Sequence, residues 1–569
     1  MRRAYAVWWV VPAVLTVVSI TLWQGNAAKA VGAPGTSPER VAGELLVKLR
    51  GLKTTYAGSA VVSAIQKGAG TDTRVLEIEA LKTDPSVSRV RIAEDSRLAM
   101  TLAALKDNPL IQYAEPNWIY RTADSGIPDD PEFGKLWGLQ NTGQLDAAGQ
   151  LGLAGADIGV VPVWQRGLTG NRDVVVAVID SGVDWEHPDL ASNIYLNPGE
   201  AGDKSSNGID DDGNGFVDDV RGWNFAAKNN NPMDDNNHGT HCAGTIGAAG
   251  GNGTGVTGVN WKVSILPLKF LTAQGNGTSA NSIEAVNYAR MMKVRVINNS
   301  WGGGGYSKIM EDAIKAARDE GILVINASGN EKSSNDDKPH YPSNYNVENM
   351  VAVAATDNRD QLASFSNFGK RTVHVAAPGV KILSTIPKNK YAAASGTSMA
   401  APHVSGIAAL LLSVHPEWTY AEIKDRLIRT SMRAQGLRTR VLAKGRVSVA
   451  NALDGFVPPN DEPEEKWWRD ETREMESPHP YPPNSNVEIK ITEAGARYIR
   501  VVFDRIETEK TYDKVQIAAL DGTVVEEISG IHDNYVSEYI KGDTLVLKLV
   551  SDNTVNKYGF KATKIQVIK

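Results

Sequence analysis

Three positions in this 569-residue chain combine residue types that can make and break covalent bonds. Asp180 closes the apolar run "DVVVAVID" and opens "DSGVD". His238 stands in "NNHGTHCAGTIG", where Gly and Thr lead into an apolar helix, and Ser398 stands in "SGTSMAAPHVSG", ahead of the apolar "IAALLLSVHP". A serine hydroxyl is a weak nucleophile until a base takes its proton, and an imidazole base needs a carboxylate to fix its tautomer and balance its charge. Plain structural readings exist for the same residues. Asp and Ser are ordinary helix caps, and His238 can be a hydrogen-bonded core histidine. His238 and His241 are also spaced to share a metal, but no third ligand stands beside them. The serine segment carries an oddity: Pro402 lacks the N–H that would bond the Ser398 carbonyl in a regular helix.

Holding such a set requires strand and helix ends to converge. Between residues 128 and about 455, near-continuous Val/Ile runs recur at 173–180, 262–270, 294–300, 322–330 and 350–356. Such runs fit strands covered on both faces, as in a parallel sheet. "SANSIEAVNYARMM" and "SKIMEDAIKAARDEG" show helical spacing between them. The alternation predicts a doubly wound α/β domain with functional residues at the carboxyl ends of its strands. Ahead of it, residues 40–121 read as βαββαβ, a small ferredoxin-like α+β domain, joined by the polar segment 121–131. After it, the Pro-rich acidic stretch 456–476 reads as a linker. Short alternating runs with regularly spaced turns over 477–569 predict an all-β sandwich.

Composition narrows the function classes. A formal charge of -6 argues against a nucleic-acid partner, which would need a basic face. Cys242 is the one cysteine, so stability outside the cell has to come from packing or bound ions rather than a disulfide. Arg2 and Arg3, the uncharged run 4–23 and an A-x-A site at 28–30 read as a secretory signal over residues 1–30. Left uncleaved, that run is long enough to span a bilayer, which would be the chain's one membrane attachment. The segment "NGIDDDGNGFVDDVRGWNF" places Asp210, Asp212, Asn214 and Gly215 in the D-x-D-x-N-G spacing of an EF-hand loop. Its twelfth position is Arg221, so Asp218 or Asp219 would have to complete a Ca2+ site; a solvated acidic turn is the alternative.

The order Asp180, His238, Ser398, with the flanks "VIDSGVDWEHPDL", "HGTHCAGTIG" and "SGTSMAAPHVSGIAALL", resembles the subtilisin-like serine proteases, the subtilases. The resemblance spans the α/β unit and extends more weakly to either side. It implies that Asp180 orients His238, that His238 is the general base and acid, and that Ser398 is the nucleophile. Asn330, closing "VINASGN", matches the side-chain donor of the oxyanion hole. Ser300, Trp301 and Gly302 in "NNSWGGGG" match the edge that pairs with an extended substrate; Trp301 replaces a commoner leucine and would narrow a subsite. His340, in "KPHYPSNY", falls near the floor of the primary pocket, where the family often has glycine. Asp189, Asn252 and Asp130 match ligands of a family calcium site. Cys242 sits where thermitase-like members carry cysteine, as a small buried residue or as a point of oxidant and heavy-metal sensitivity.

Residues 31–125 resemble the subtilase propeptide, which assists folding and acts as an intramolecular inhibitor until it is cut, here between about 120 and 128 in the exposed linker. Residues 477–569 resemble a CUB domain without its cysteines, with Glu507, Asp513 and Asp552 where calcium-binding CUB domains keep acidic ligands. The expectation is therefore a secreted, calcium-stabilised serine endopeptidase with its peptidase domain at 126–455. It would be made as a self-processed zymogen, act on polypeptides and remain a monomer. The rival from another class is a binding or scaffold protein with a silent protease fold; the intact triad and Asn330 argue against it.

Overall fold

The computed structural model describes residues 40–50, 57–69, 73–93, 97–106, 108–118, 126–460 and 462–569. The signal segment 1–30 and residues 120–125 of the expected cleavage window lie outside the described residues. The chain divides into two compact units, Met1–Ala123 and Asp124–Lys569.

In the first unit, strands Arg40–Leu49, Val75–Ala80, Val87–Ile92 and Ile111–Trp118 form an antiparallel sheet. Their spatial order is second, third, first, fourth. Helices Ala57–Ala69 and Leu98–Lys106 join the strands. Leu45 and Val47 alternate with more exposed neighbours along the first strand, the period expected when one sheet face is covered. Val61, Ile65 and Leu105 from the helices close this core.

The second unit is built around a nine-stranded sheet. In spatial order its strands are Met432–Arg433, Gly445–Arg446, Val375–Pro378, Met350–Thr356, Leu323–Ala327, Val296–Asn299, Val175–Asp180, Ser264–Lys269 and Trp223–Asn224. Every neighbouring pair is parallel except the first. The five Val/Ile runs read from the sequence are five consecutive strands of this sheet, from Met350–Thr356 to Ser264–Lys269. They are apolar throughout because both faces are buried: Val176 and Val178 enter one core, Ala177 and Ile179 the other. Helices Ser279–Met291 and Lys308–Asp319, capped by Thr278 and Ser307, cover the second face. Helices His238–Gly247 and Thr397–Val414 cover the first. Thr397–Val414 is apolar on all sides because other elements enclose it on all sides.

Two sheets form the C-terminal sandwich. One orders Arg469–Glu476, Gly559–Ile568, Tyr498–Glu507 and Ile531–Val536, with Ile540–Lys541 paired to Tyr498 and Ile499. The other orders Asn486–Thr492, Thr544–Val550, Lys514–Ala519 and Val524–Ile528. Residues 469–476, expected within the linker, are instead an edge strand paired with Gly559–Ile568. Their charged side chains mostly face solvent, as suits an exposed edge, and that composition hides the strand in the sequence. The sandwich is also not a free module, since it packs on residues 361–369 and 434–441 of the catalytic part. Gln361 Nε2 donates to Thr523 Oγ1 (2.9 Å), Thr439 Oγ1 to the Val525 carbonyl (2.7 Å), and Arg440 pairs with Glu527 (3.4 Å). The Arg438 guanidinium lies 3.5 Å above the Tyr539 ring.

Candidate active site

Asp180 is the last residue of a central strand and is fully buried. Its Oδ1 and Oδ2 lie 2.8 and 3.0 Å from His238 Nδ1, and Oδ1 also accepts the Ser181 N–H at 2.7 Å. A buried carboxylate is tolerated only when hydrogen bonds or charge replace its water, and these contacts do so. His238 begins its helix behind Asn237, which adopts φ 91°.

Asp234 locks the two elements together. Its carboxylate accepts the Thr240 N–H and hydroxyl (2.9 and 2.6 Å), capping the helix, and the Ser181 hydroxyl (2.8 Å). Ser181 Oγ in turn accepts the Gly239 N–H (2.9 Å). Lys269, almost fully buried, donates to the Ser181 carbonyl and to Asp235, each at 2.6 Å. Gly239 admits no side chain, because a Cβ there would lie 2.0 Å from the Gly182 carbonyl oxygen. Nothing in the sequence analysis singled out Asp234, Ser181 or Lys269. Ordinary capping and hydroxyl residues carry no distinguishing pattern until the fold brings strand end and helix start together.

Burial alone would lower the His238 pKa, but the Asp180 charge and hydrogen bond, with a smaller push from the Asp234 charge, outweigh it, and the net shift is upward. With Nδ1–H held by Asp180, Nε2 is the nitrogen left to take a proton. His241 does not share a metal with His238. Its Nε2–H donates to the Ile382 and Ala392 carbonyls (2.9 and 3.1 Å), and burial pushes its pKa down to about 4. The third residue near the pair is Cys242, whose sulfur stands within 4.8 Å of a His238 nitrogen and an Asp180 oxygen.

Ser398 is the second residue of its helix, so its N–H has no intrahelical acceptor. The helix runs unbroken through Pro402. The Ser398 carbonyl, deprived of a donor at Pro402, is 3.4 Å from Cys242 Sγ. Burial raises the Cys242 pKa far above the usual thiol value, which keeps the proton that makes this bond. The Ser398 hydroxyl donates to the Ser300 carbonyl at 2.8 Å; no His238–Ser398 hydrogen bond forms among the described residues. The Asp–His half of the set is therefore assembled and the His–Ser half is open, a common state of such sites without substrate.

Asn330 is exposed, and its Oδ1 accepts the Thr397 N–H (2.9 Å) and hydroxyl (3.0 Å). A backbone N–H can only donate, so this contact fixes the amide orientation and leaves Nδ2 as the free donor end, 3.7 Å from where a Cβ on Gly396 would lie. Thr397 is a further residue with no distinguishing pattern in the sequence. Ser300 and Trp301 follow the strand Val296–Asn299, and the indole of Trp301 packs on Phe270 with ring centres 4.7 Å apart. His340 is wedged between two backbone segments: a Cβ on Gly302 would lie 2.1 Å from its Cε1, and one on Gly329 would lie 2.9 Å from its Cδ2. Burial holds the His340 pKa below its usual value, with Glu331 3.9 Å away acting in the opposite sense.

The acidic loop differs from its expected ligand set. Asp210 uses its oxygens on the Asn214 and Gly215 N–H groups, Asp218 on those of Asn207 and Gly208, and Asn214 Oδ1 on that of Phe216. For Asp210 and Asp218 these are turn contacts within the loop, while Asn214 also donates from Nδ2 to Asp212 (3.2 Å) and Asp219 (2.9 Å). Asp212 does converge, with Asp219 and with Glu200, which the sequence analysis did not include. Glu200 is fully buried; its Oε1 accepts the Asp211 N–H (2.6 Å) while Oε2 has no partner. An orphaned buried carboxylate oxygen beside two other carboxylates fits a hard cation.

At the second expected site, Asp189 accepts from Asn252 Nδ2 (3.0 Å), the Val256 N–H (2.9 Å) and the Tyr391 hydroxyl (2.8 Å). Asn252 Oδ1 accepts the Thr254 N–H (2.8 Å), while its Nδ2 is the end turned to Asp189. Asp130 Oδ2 accepts the Gly251 N–H (2.7 Å) and its buried Oδ1 is unpartnered. Burial, helped by the Asp189 and Asp129 charges, pushes the Asp130 pKa up to about 6. In the sandwich, Asp513 and Asp552 meet Glu509 rather than Glu507, which pairs with Arg505 at 2.5 Å.

Residues 171–456 match the profile of the subtilase family, described as Peptidase_S8. The chain is 35% identical over 369 residues to a thermophilic serine proteinase of Bacillus sp. (strain AK1), covering 64% of this chain and 78% of that protein. It is 34% identical over 322 residues to subtilisin-like protease 1 of Plasmodium berghei (strain Anka), covering 53% of each. Identity to subtilisin-like protease 2 of Plasmodium falciparum is 34% over 304 residues, 52% of this chain and 22% of that protein.

The opposed effects on His238 give a signed expectation. An NMR titration should place its pKa above the usual value of about 6.5. In Asp180→Asn the two Asp180 influences go while burial and the smaller Asp234 charge remain, so the value should fall from that of the unaltered protein; an unchanged value would mean that the Asp180 contact does not govern this imidazole.

Proposed function

This chain belongs to the subtilase family and is a serine endopeptidase, and from that premise we propose that Ser398, His238 and Asp180 carry the reaction with Asn330 as oxyanion donor. The observation that carries the reading is the Asp180–His238 contact, which leaves Nε2 as the basic nitrogen of an imidazole at the mouth of the serine helix.

The first event is a change of acceptor. The Ser300 carbonyl now holds the Ser398 hydroxyl. A substrate strand laid along Ser300, Trp301 and Gly302 brings an N–H of its own to that carbonyl, as strand addition requires. The displaced hydroxyl turns to His238. Ser398 Oγ then attacks the scissile carbonyl carbon as its proton passes to His238 Nε2, and Asp180 stabilises the imidazolium. The charge arriving on the carbonyl oxygen meets the Ser398 N–H and Asn330 Nδ2. His238 returns the proton to the leaving amine as the C–N bond breaks, and water repeats the sequence on the acyl-enzyme.

We assign His340 to the primary specificity pocket. Its ring occupies the gap between Gly302 and Gly329, the two segments that would flank a substrate side chain. The pocket is therefore short and suits small side chains.

Calcium is the proposed structural ion. Glu200, Asp212 and Asp219 would hold one ion, and Asp130 with Asp189 a second; each set contains a buried carboxylate oxygen with no other partner. A bound ion would stabilise the folded unit in a chain that has no disulfide. Residues 31–125 are proposed as an inhibitory propeptide removed by self-cleavage between about 120 and 128; the division between compact units at Ala123 and Asp124 falls in that window. Secretion through residues 1–30 belongs to the same reading. The sandwich over 477–569 is proposed as a docked, stabilising module of a monomer.

Three measurements test these assignments. Ser398→Ala should lower kcat more than about 10⁴-fold, the scale known from a subtilisin; full residual peptidase activity would remove Ser398 from the mechanism. His340→Gly should raise kcat/KM for a phenylalanine ahead of the scissile bond, relative to alanine, about tenfold or more, because several ring atoms leave the pocket. A calcium chelator should lower Tm, with a loss of about 2.7 kcal/mol expected if the ion had been present at 100 times its Kd. Glu200→Gln should shrink that response, and a response of unchanged size would exclude Glu200 as a ligand.

A further inference from the structure

Asn330 stands on a turn that has to hold its amide still, and one side chain grips that turn on both sides of it. Asn367 is 1% exposed and lies outside every motif of the sequence analysis. Its Oδ1 accepts the N–H groups of Glu331 (2.9 Å) and Ser333 (3.0 Å). Its Nδ2 donates to the Ser328 carbonyl (3.2 Å) and to Glu331 Oε2 (2.7 Å). Its backbone N–H donates to the Gly329 carbonyl (2.9 Å), and its own carbonyl accepts the Ser328 hydroxyl (3.1 Å). Residues 328, 329, 331 and 333 are thus all bonded to Asn367, while Asn330 between them is bonded only from the Ser398 helix, through Thr397. Gly329 makes the approach possible, with φ 109° and a position where a Cβ would lie 2.3 Å from Asn367 Nδ2. Asn367 is anchored in turn. The next residues pair Phe368 N–H with the Ser333 carbonyl (3.0 Å) and Gly369 N–H with the Arg440 carbonyl (2.8 Å), in the segment on which the sandwich is seated.

We propose that Asn367 is a positioning residue for the reaction: it fixes the 328–333 turn so that Asn330 Nδ2 is aimed at the developing oxyanion. The proposal rests on the reading of Asn330 as an oxyanion donor. The physical requirement is strict, since a preorganised donor stabilises charge only if it need not move when the charge appears. A shift of about 1 Å at a catalytic group can cost about 10²-fold in rate. Four contacts from one buried amide supply that stiffness where the turn has no secondary structure of its own.

The test is a double-mutant cycle on the full chain, with active sites titrated by an irreversible serine reagent so that kcat refers to folded enzyme. Asn367→Asp keeps the acceptor for the Glu331 and Ser333 N–H groups but sets an oxygen against the Ser328 carbonyl and the Glu331 carboxylate. Asn367→Ser removes the grip with little change in bulk. The proposal expects both to lower kcat by about 10–100-fold with KM changed less than about twofold. It also expects weaker binding of a peptide aldehyde, which forms a tetrahedral adduct, but unchanged binding of a non-cleavable substrate analogue. In an Asn330→Ala background, the further loss of kcat from either variant should be less than about twofold, because the group being aimed is gone. A full loss in that background, a change confined to KM, or failure of both variants to be labelled at Ser398 would overturn the proposal. Asn330→Ala alone should cost about 10²–10³ in kcat, a figure known from a subtilisin. No loss there would sink the oxyanion reading itself, and is distinguishable from a failure of Asn367 to matter.

Discussion

The contact between Asp180 and His238 is the constraint around which this site is arranged. A fully buried carboxylate at the end of a central strand must be met by donors, and the imidazole that meets it opens a helix on the other side of a short gap. That geometry sets the ring tautomer, raises the affinity of the ring for a proton and points Nε2 outward. It is maintained by residues with no chemical role. Asp234 caps the histidine helix and holds Ser181, Lys269 fixes the Ser181 carbonyl, and the absence of a side chain at Gly239 lets helix and strand approach.

The serine side follows a different logic. Thr397–Val414 is an apolar helix enclosed by the core, so its position is fixed by packing along its length. Pro402 leaves one carbonyl in its first turn without a helical donor, and the Cys242 thiol from the histidine helix stands at that carbonyl. The irregularity in the serine helix is thus met by the histidine helix. The Ser398 hydroxyl rests on the Ser300 carbonyl, the group an extended peptide would occupy.

The surroundings divide into parts that support the site and parts that stabilise the unit as a whole. Asn367, from the 361–369 segment, holds the residues on either side of Asn330, and Thr397, from the serine helix, holds Asn330 itself. The sandwich is seated on the same 361–369 segment and on 434–441, so it belongs to one compact unit with the catalytic sheet. The acidic clusters lie in loops and gather buried carboxylates that packing alone leaves unpaired, as at Glu200 and Asp130.

Periodicity was enough to locate the sheet. Five Val/Ile runs became five consecutive strands of it because a strand buried on both faces must be apolar throughout. Asp180, His238, Ser398 and Asn330 were legible because each stands at an element end within a recognisable local pattern. The edge strand 469–476 was not legible, since exposure lets its composition pass for linker. Nor was the membership of the acidic loop, because Asp210 and Asp218 look like ligands in the sequence yet turn to their own backbone, while Glu200 arrives from outside the motif. Asp234, Thr397, Cys242 and Asn367 act through contacts across the fold, up to 156 residues away in sequence for Cys242 and Ser398. Local sequence determines which residues can do chemistry and what elements they end. Only tertiary structure decides which ordinary hydroxyls, amides and thiols hold them in place, because a hydrogen-bond partner is defined by position in space and leaves no pattern along the chain.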